Sequence, residues 1–117
     1  MKNETNDFWK LIDKLCVEHA IIVDRPKGTP HPKYSDFIYP LDYGYLEGTT
    51  SSDGGGIDVW IGSKGNTDVC GVITCVDYVK KDSEIKILIA CSDEDMEIIM
   101  AETNKHDGMK GILTKRE

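Results

Sequence analysis

The sequence has no long apolar run: IKILIAC at 85–91 is its longest and is interrupted by Lys86, too short to cross a bilayer. It has no excess of positive charge. Twenty-one Asp and Glu stand against 14 Lys and Arg, a net charge of −7, which argues against a general nucleic-acid partner needing a basic footprint. It has no CxxC pair, and its four cysteines (Cys16, Cys70, Cys75 and Cys91) have no nearby histidines with zinc spacing. On a strand Cys70 and Cys75 would face opposite sides because their separation is odd, so a disulfide framework is not expected and reduced, mostly buried thiols are. The opening MKNETNDFWK has no apolar core of the secretory kind. Together these features lead us to expect a cytoplasmic protein, and a chain of 117 residues is expected to form one domain over 1–117.

What is present is a globular composition, 39% hydrophobic and 30% charged. Phe8, Leu11, Ile12, Leu15 and Cys16 recur at helical spacing, predicting a helix over about 6–19 that is capped by Asn3, Thr5 or Asn6 and packed on a sheet. AIIVD at 20–24, IDVWIG at 57–62, VCGVITCVDYV at 69–79 and EIKILIA at 84–90 read as strands. Alternation puts Ile57, Val59 and Ile61 on one face and Asp58 and Trp60 on the other; in the later strand Ile85, Ile87 and Ile89 oppose Glu84, Lys86, Leu88 and Ala90. Ser92 and Asp95 have capping-box spacing before a short helix through Met100, and a brief last strand is expected near Gly111–Thr114. RPKGTPHPKYSD at 25–36 holds three of the four prolines and reads as a loop. Several strands, few helices and glycine-rich corners suggest a closed or nearly closed barrel.

The chemistry is concentrated in two places. In SSDGGGIDVW at 51–60, Asp53 and Asp58 bracket three glycines. Asp-Gly is a strong turn signal, so the stretch alone suits a hairpin, yet both carboxylates are oxygen ligands of the kind Mg²⁺ takes. Arg25, Lys27 and Lys33 lie on the proline-rich loop as cations for phosphate oxygens, and Tyr39, Tyr43 and Tyr45 add hydroxyls. Carboxylates for a metal beside cations for phosphate are the parts of a phosphoryl-transfer site.

IYPLDYGYLEG followed by D-G-G-G-I-D-V resembles soluble (family I) inorganic pyrophosphatase, whose pattern is tyrosine–proline–x–(Asn/Asp)–Tyr–Gly–Tyr and then D-x-D-P-x-D-V. IIVDRPKG, PKY and EIKILIA resemble family segments in the same order, so the resemblance spans roughly residues 20–91. It implies a mainly β fold with flanking helices (α+β), a small five-stranded OB-like barrel. It also implies Mg²⁺-dependent hydrolysis of pyrophosphate to two phosphates, and a homo-oligomer. By the same resemblance Asp53, Asp58 and Glu84 are metal ligands, with Asp82 the nearest match to a further acid. Asp58, Tyr43 and Asp24 are placed in the catalytic cavity. Lys33 and Lys86 are substrate-phosphate lysines, and Arg25, Lys27 and Tyr39 are further candidates for binding substrate. As solvated charges, Lys33 and Lys86 are expected to matter little for folding.

The sequence departs from the family pattern at several points. Gly55 stands where the family has the acid that helps activate water. The hairpin between Lys33 and Tyr39, with its arginine, is missing, and TNKHDGMKGILTKRE has no counterpart to the family's C-terminal helix. Two alternatives therefore stand beside pyrophosphate hydrolysis: a hydrolase of another phosphoanhydride such as a nucleotide, and a non-catalytic Mg²⁺–phosphate binding module.

Overall fold

The four β-branched runs each form a strand in the computed structural model, which describes residues 4–117. In chain order the elements are α1 (Glu4–Glu18), β1 (Ile21–Arg25), β2 (Asp42–Leu46), β3 (Ile57–Ile61), β4 (Val69–Asp77), β5 (Asp82–Ile89), α2 (Asp93–Thr103) and β6 (Met109–Lys115). β2 lies inside YPLDYGYLEG at 39–48, an aromatic stretch whose proline and glycines read as turn signals; its pairing with both β1 and β3 makes DYGYL a strand despite the glycine. Gly44 is required there: a Cβ on it would come within 1.9 Å of the Ile22 carbonyl oxygen, where β1 bulges across β2.

All six strands form one sheet in the order β1-β2-β3-β5-β4-β6, antiparallel except for the parallel pair β3 and β5. The mainly β, α+β architecture expected from the sequence is therefore present, with two corrections. There are six strands, not five, and no ladder closes the sheet between its β1 and β6 edges among the described residues. The reason is the C-terminal strand. β6 occupies the edge of β4 that β5 leaves free, so β4 has no edge left for another partner.

The pleat divides the core in two. On one face α1 lays Trp9 and Ile12 on Leu46, Val59, Val72, Ile87 and Ile89. On the other, Met96 and Ile99 of α2 join Tyr39, Tyr43, Trp60, Ile73 and Leu88. Strand alternation in β3 and β5 is thus as the sequence predicts, except that Ala90, just past β5 with a left-handed φ of 57°, joins the α1-side core instead of the Leu88 face. The face of α1 is rotated from the expected one: Trp9, Ile12 and Cys16 point inward, whereas Phe8 and Leu11 are exposed. Spacings of three and seven put 9, 12 and 16 on one stripe, and the large indole decides which stripe is buried. Because α1 begins at Glu4, Thr5 and Asn6 are within it and are not caps; Asn3 lies outside the described residues. Ser92 and Asp95 form the expected capping box of α2. No helix among the described residues is long and apolar enough to cross a membrane.

Cys70 and Cys75 do not face opposite sides. The β4–β5 register slips between Val69 and Gly71, and this bulge resets the parity, so both thiols reach the α2-side core.

Candidate functional site

Parallel pairing of β3 and β5 sets Asp58 directly beside Lys86, and Glu84 projects from the same face two residues earlier. These charges stand where the α2-side core ends. Lys86 Nζ donates to the Tyr43 hydroxyl at 2.6 Å and lies 3.5 Å from both Asp58 Oδ2 and Glu84 Oε1. The side chains of Lys86, Glu84 and Asp58 are only 12, 16 and 21% exposed, so these are largely desolvated charges. Two carboxylates share one ammonium. Burial, more than the neighbouring Asp58 and Asp53 charges, pushes the Glu84 carboxyl above its ordinary range, against the pull of Lys86. Burial likewise raises the Tyr43 hydroxyl, helped by Asp58, so that it stays a neutral donor. Glu84 Oε2 is buried with no hydrogen-bond partner among the described residues.

A ring stack connects this cluster to the proline-rich loop. Tyr43 packs on Tyr39 (centroids 5.3 Å apart), and Tyr39 packs on His31 at 6.2 Å with the rings nearly parallel. Arg25 Nη1 donates to the Tyr39 hydroxyl at 2.6 Å, and its guanidinium lies 5.7 Å from the Tyr39 centroid. The loop holds its shape through main-chain bonds from Gly28 to Tyr39, Tyr39 to Thr29 and His31 to Phe37. Lys27 contributes its backbone N–H to Asp42, while Lys33 and Asp24 are exposed. Burial, then the positive charges of Arg25, Lys80 and Lys33, holds His31 below its ordinary pKa.

The glycine loop closes the third side. Asp53 accepts from Ser51 Oγ at 2.8 Å and from the Gly55 N–H at 2.9 Å, and these bonds lower its pKa. Ser52 Oγ lies 2.8 Å from Asp82 Oδ1 and 2.6 Å from the Ser83 carbonyl, fastening this loop to the start of β5. Gly54, with φ of 85°, makes the left-handed turn; Gly55 does not have a positive φ.

The structure therefore brings Asp58, Glu84, Lys86 and Tyr43 into one cluster and sets Arg25 and Tyr39 beside it. Asp53 and Asp82 lie at its rim with their carboxylates engaged by serines. Lys27, Lys33 and Asp24 stand on the surrounding loop and edge strand. Lys80 is a cation that the sequence reading missed. It sits in the β4–β5 turn, and its charge acts on both His31 and Asp53, across the mouth from two sides. The signal was the Lys80–Lys81 pair just ahead of Asp82 and Glu84.

As a metal site, the cluster has one suitable element. Asp58 and Glu84 face each other, and a buried carboxylate oxygen lacks a partner, which suits a Mg²⁺ taking one or two carboxylates and completing its shell with water and phosphate. No group of three or more metal-type side chains is assembled among the described residues.

Solved structures with a similar fold include inorganic pyrophosphatases. One from Neisseria gonorrhoeae aligns with a TM-score of 0.53 and 20% identity, over 79% of this chain and 71% of that one. The chain carries the inorganic-pyrophosphatase fold. A pyrophosphatase from Coxiella burnetii gives 0.52 at 14% identity, over 83% of both chains. A structure described as an inorganic phosphatase from Anaplasma phagocytophilum gives 0.54 at 14%, over 81% of both. No family model matches the sequence, and a search of curated proteins finds no match. Identity to these structures is 14–20%, so the likeness is one of fold.

Proposed function

We propose that the protein is a Mg²⁺-dependent hydrolase of inorganic pyrophosphate. The observation that carries this reading is the desolvated Asp58–Lys86–Glu84–Tyr43 cluster, set on a pyrophosphatase fold with cations on the facing loops.

Asp58 and Glu84 would hold the metal, with Asp53 and Asp82 at the rim as further ligands. When bound, Mg²⁺ supplies Lewis-acid polarisation of the anhydride and a bound water of lowered pKa. Lys86 and Tyr43 would present N–H and O–H donors to phosphate oxygens at the floor of the site. Arg25, held by Tyr39, would meet the substrate from the loop, with Lys33, Lys27 and Lys80 adding positive charge at the mouth. These donors are placed in advance, so they stabilise charge that develops on the leaving phosphate without reorganising. Asp24 stands beside Arg25 as a carboxylate for orienting water. Self-association and a cytoplasmic location belong to the same proposal.

One observation favours a second reading. Gly55 contributes only main-chain groups, its N–H to Asp53 and its carbonyl to Ser51, where a water-activating acid would serve hydrolysis. A module that binds Mg²⁺ and phosphate without turnover is consistent with that. Phosphate release is the discriminating experiment, measured with added Mg²⁺ from pyrophosphate and from nucleoside triphosphates. Release from pyrophosphate alone supports the proposal. Release mainly from nucleotides moves the substrate to another phosphoanhydride. Binding of an uncleavable pyrophosphate analogue with no release in either assay establishes the module.

A further inference from the structure

At the opposite end of the strands from Asp58 and Lys86, a surface hollow of about 450 Å³ is lined by Cys70, Cys91, Lys64, Lys115, Arg116 and the start of α2. The proposed hydrolysis uses none of these groups. Two irregularities bring the thiols there. The β-bulge at Cys70 turns its side chain to the α2 side. After β5, Ala90 takes a left-handed φ of 57°, which swings the next peptide so that the Cys91 N–H donates to Cys70 Sγ at 3.2 Å. Both cysteines line the same hollow, where the Cys91 thiol donates to the Ile89 carbonyl at 3.4 Å.

The two thiols differ in surroundings. Cys70 is partly exposed; its sulfur accepts the Cys91 N–H and its thiol donates to the Asp68 carbonyl at 3.4 Å. Its exposure on the hollow is what opens Cys70 to a soluble oxidant. Cys91 is buried, and burial followed by the nearby Cys70 and Asp95 pushes its thiol up to about 12. Cys16 and Cys75 are raised by burial as well.

We propose that Cys70 is an oxidant-reactive modification site, with Cys91 as its resolving thiol and hydrogen peroxide as the co-reactant. The Cys70 thiolate attacks a peroxide oxygen; the O–O bond breaks, and the departing hydroxide takes up the thiol's proton as water, leaving a sulfenic acid. The Cys91 sulfur then attacks the Cys70 sulfur. The S–S bond forms, the S–O bond breaks, and the hydroxyl leaves as a second water with the Cys91 proton. Two thiols are oxidised to one disulfide as one peroxide is reduced to two waters.

The test treats the reduced full chain with hydrogen peroxide and maps its cysteine peptides by mass spectrometry. The expected product is an intramolecular Cys70–Cys91 link, reversed by a dithiol, with Cys16 and Cys75 still free. Cys70→Ser should slow peroxide-driven thiol loss by about tenfold or more. Cys91→Ser should leave a sulfenic acid at Cys70 that a 1,3-diketone probe traps. First reaction at Cys16, or thiol loss in wild type with no Cys70–Cys91 link, overturns the proposal. The wild-type mapping decides the matter even if burial of Cys91 makes its variant misfold, and none of these readouts depends on hydrolase activity.

Discussion

The Lys86 ammonium donates to the Tyr43 hydroxyl at 2.6 Å, joining β5 to β2 across the intervening β3. The same ammonium is the cation between Asp58 and Glu84. Removing it leaves two carboxylates facing each other in a largely water-free pocket. Lys86→Met is therefore expected to destabilise the fold by about 2–3 kcal/mol, a charged hydrogen-bonded pair broken at partial solvent exposure. Lys33→Met, on the exposed loop, should leave stability unchanged within error. Urea unfolding of both variants checks this, and equal stability would return Lys86 to the solvated charge expected from the sequence.

Gly55 can accept a side chain. It is not in the left-handed region, and a Cβ there meets only Asp53 Oδ1, at 3.3 Å. If the vacancy limits hydrolysis, Gly55→Asp should raise pyrophosphate turnover, with general-base assistance worth about 10²–10⁴-fold when well placed. Gly55→Ala should fold equally well with no gain. A gain in both variants would assign the effect to the backbone. Gly54→Ala, by contrast, should cost about 1 kcal/mol because its φ of 85° disfavours a Cβ.

His31 reports on the mouth of the site. Its folded pKa lies below 6.5 through burial and the charges of Arg25, Lys80 and Lys33, so the folded state favours the neutral ring. Any stability this contributes falls away as pH drops below 6.5, where the unfolded ring takes up its proton first. An anion entering among those cations reverses the sign and should raise the His31 pKa. Lys80→Met should raise it too. NMR titration of the His31 ring C–H signals, with and without pyrophosphate, measures both. No movement in either would place anion and Lys80 away from this ring.

Asp95 ties α2 to the loop after β3. It is buried, which alone would raise its pKa, but bonds from the Ser63 N–H and hydroxyl and the Ser92 N–H outweigh this and lower it. Its stabilisation is complete above the ordinary value of 3.8 and is lost as pH falls below that towards the folded pKa. Asp95→Asn should cost about 1 kcal/mol at neutral pH. It should also flatten the loss of stability below pH 3.8 in denaturation followed by circular dichroism; an unchanged acid limb would show that other carboxylates govern it.

The local rules were readable in the chain. Alternation fixed which residues of β3 and β5 share a face and Ser92 and Asp95 announced the start of α2, because each depends on neighbours within a few residues; the order of YPLDYGY, DGGGIDV and EIKILIA pointed to the fold only through resemblance to a family. Which groups meet was decided by strand pairing. Only the parallel β3–β5 register sets Asp58 beside Lys86, and only the position of β2 brings Tyr43 onto the same ammonium. The bulge that turns Cys70, the left-handed Ala90 beyond β5 and the capture of β4's free edge by β6 rest on contacts between segments distant in sequence. A period of two predicts faces, but a one-residue slip inverts them, and such slips are set by the partners a strand finds in three dimensions.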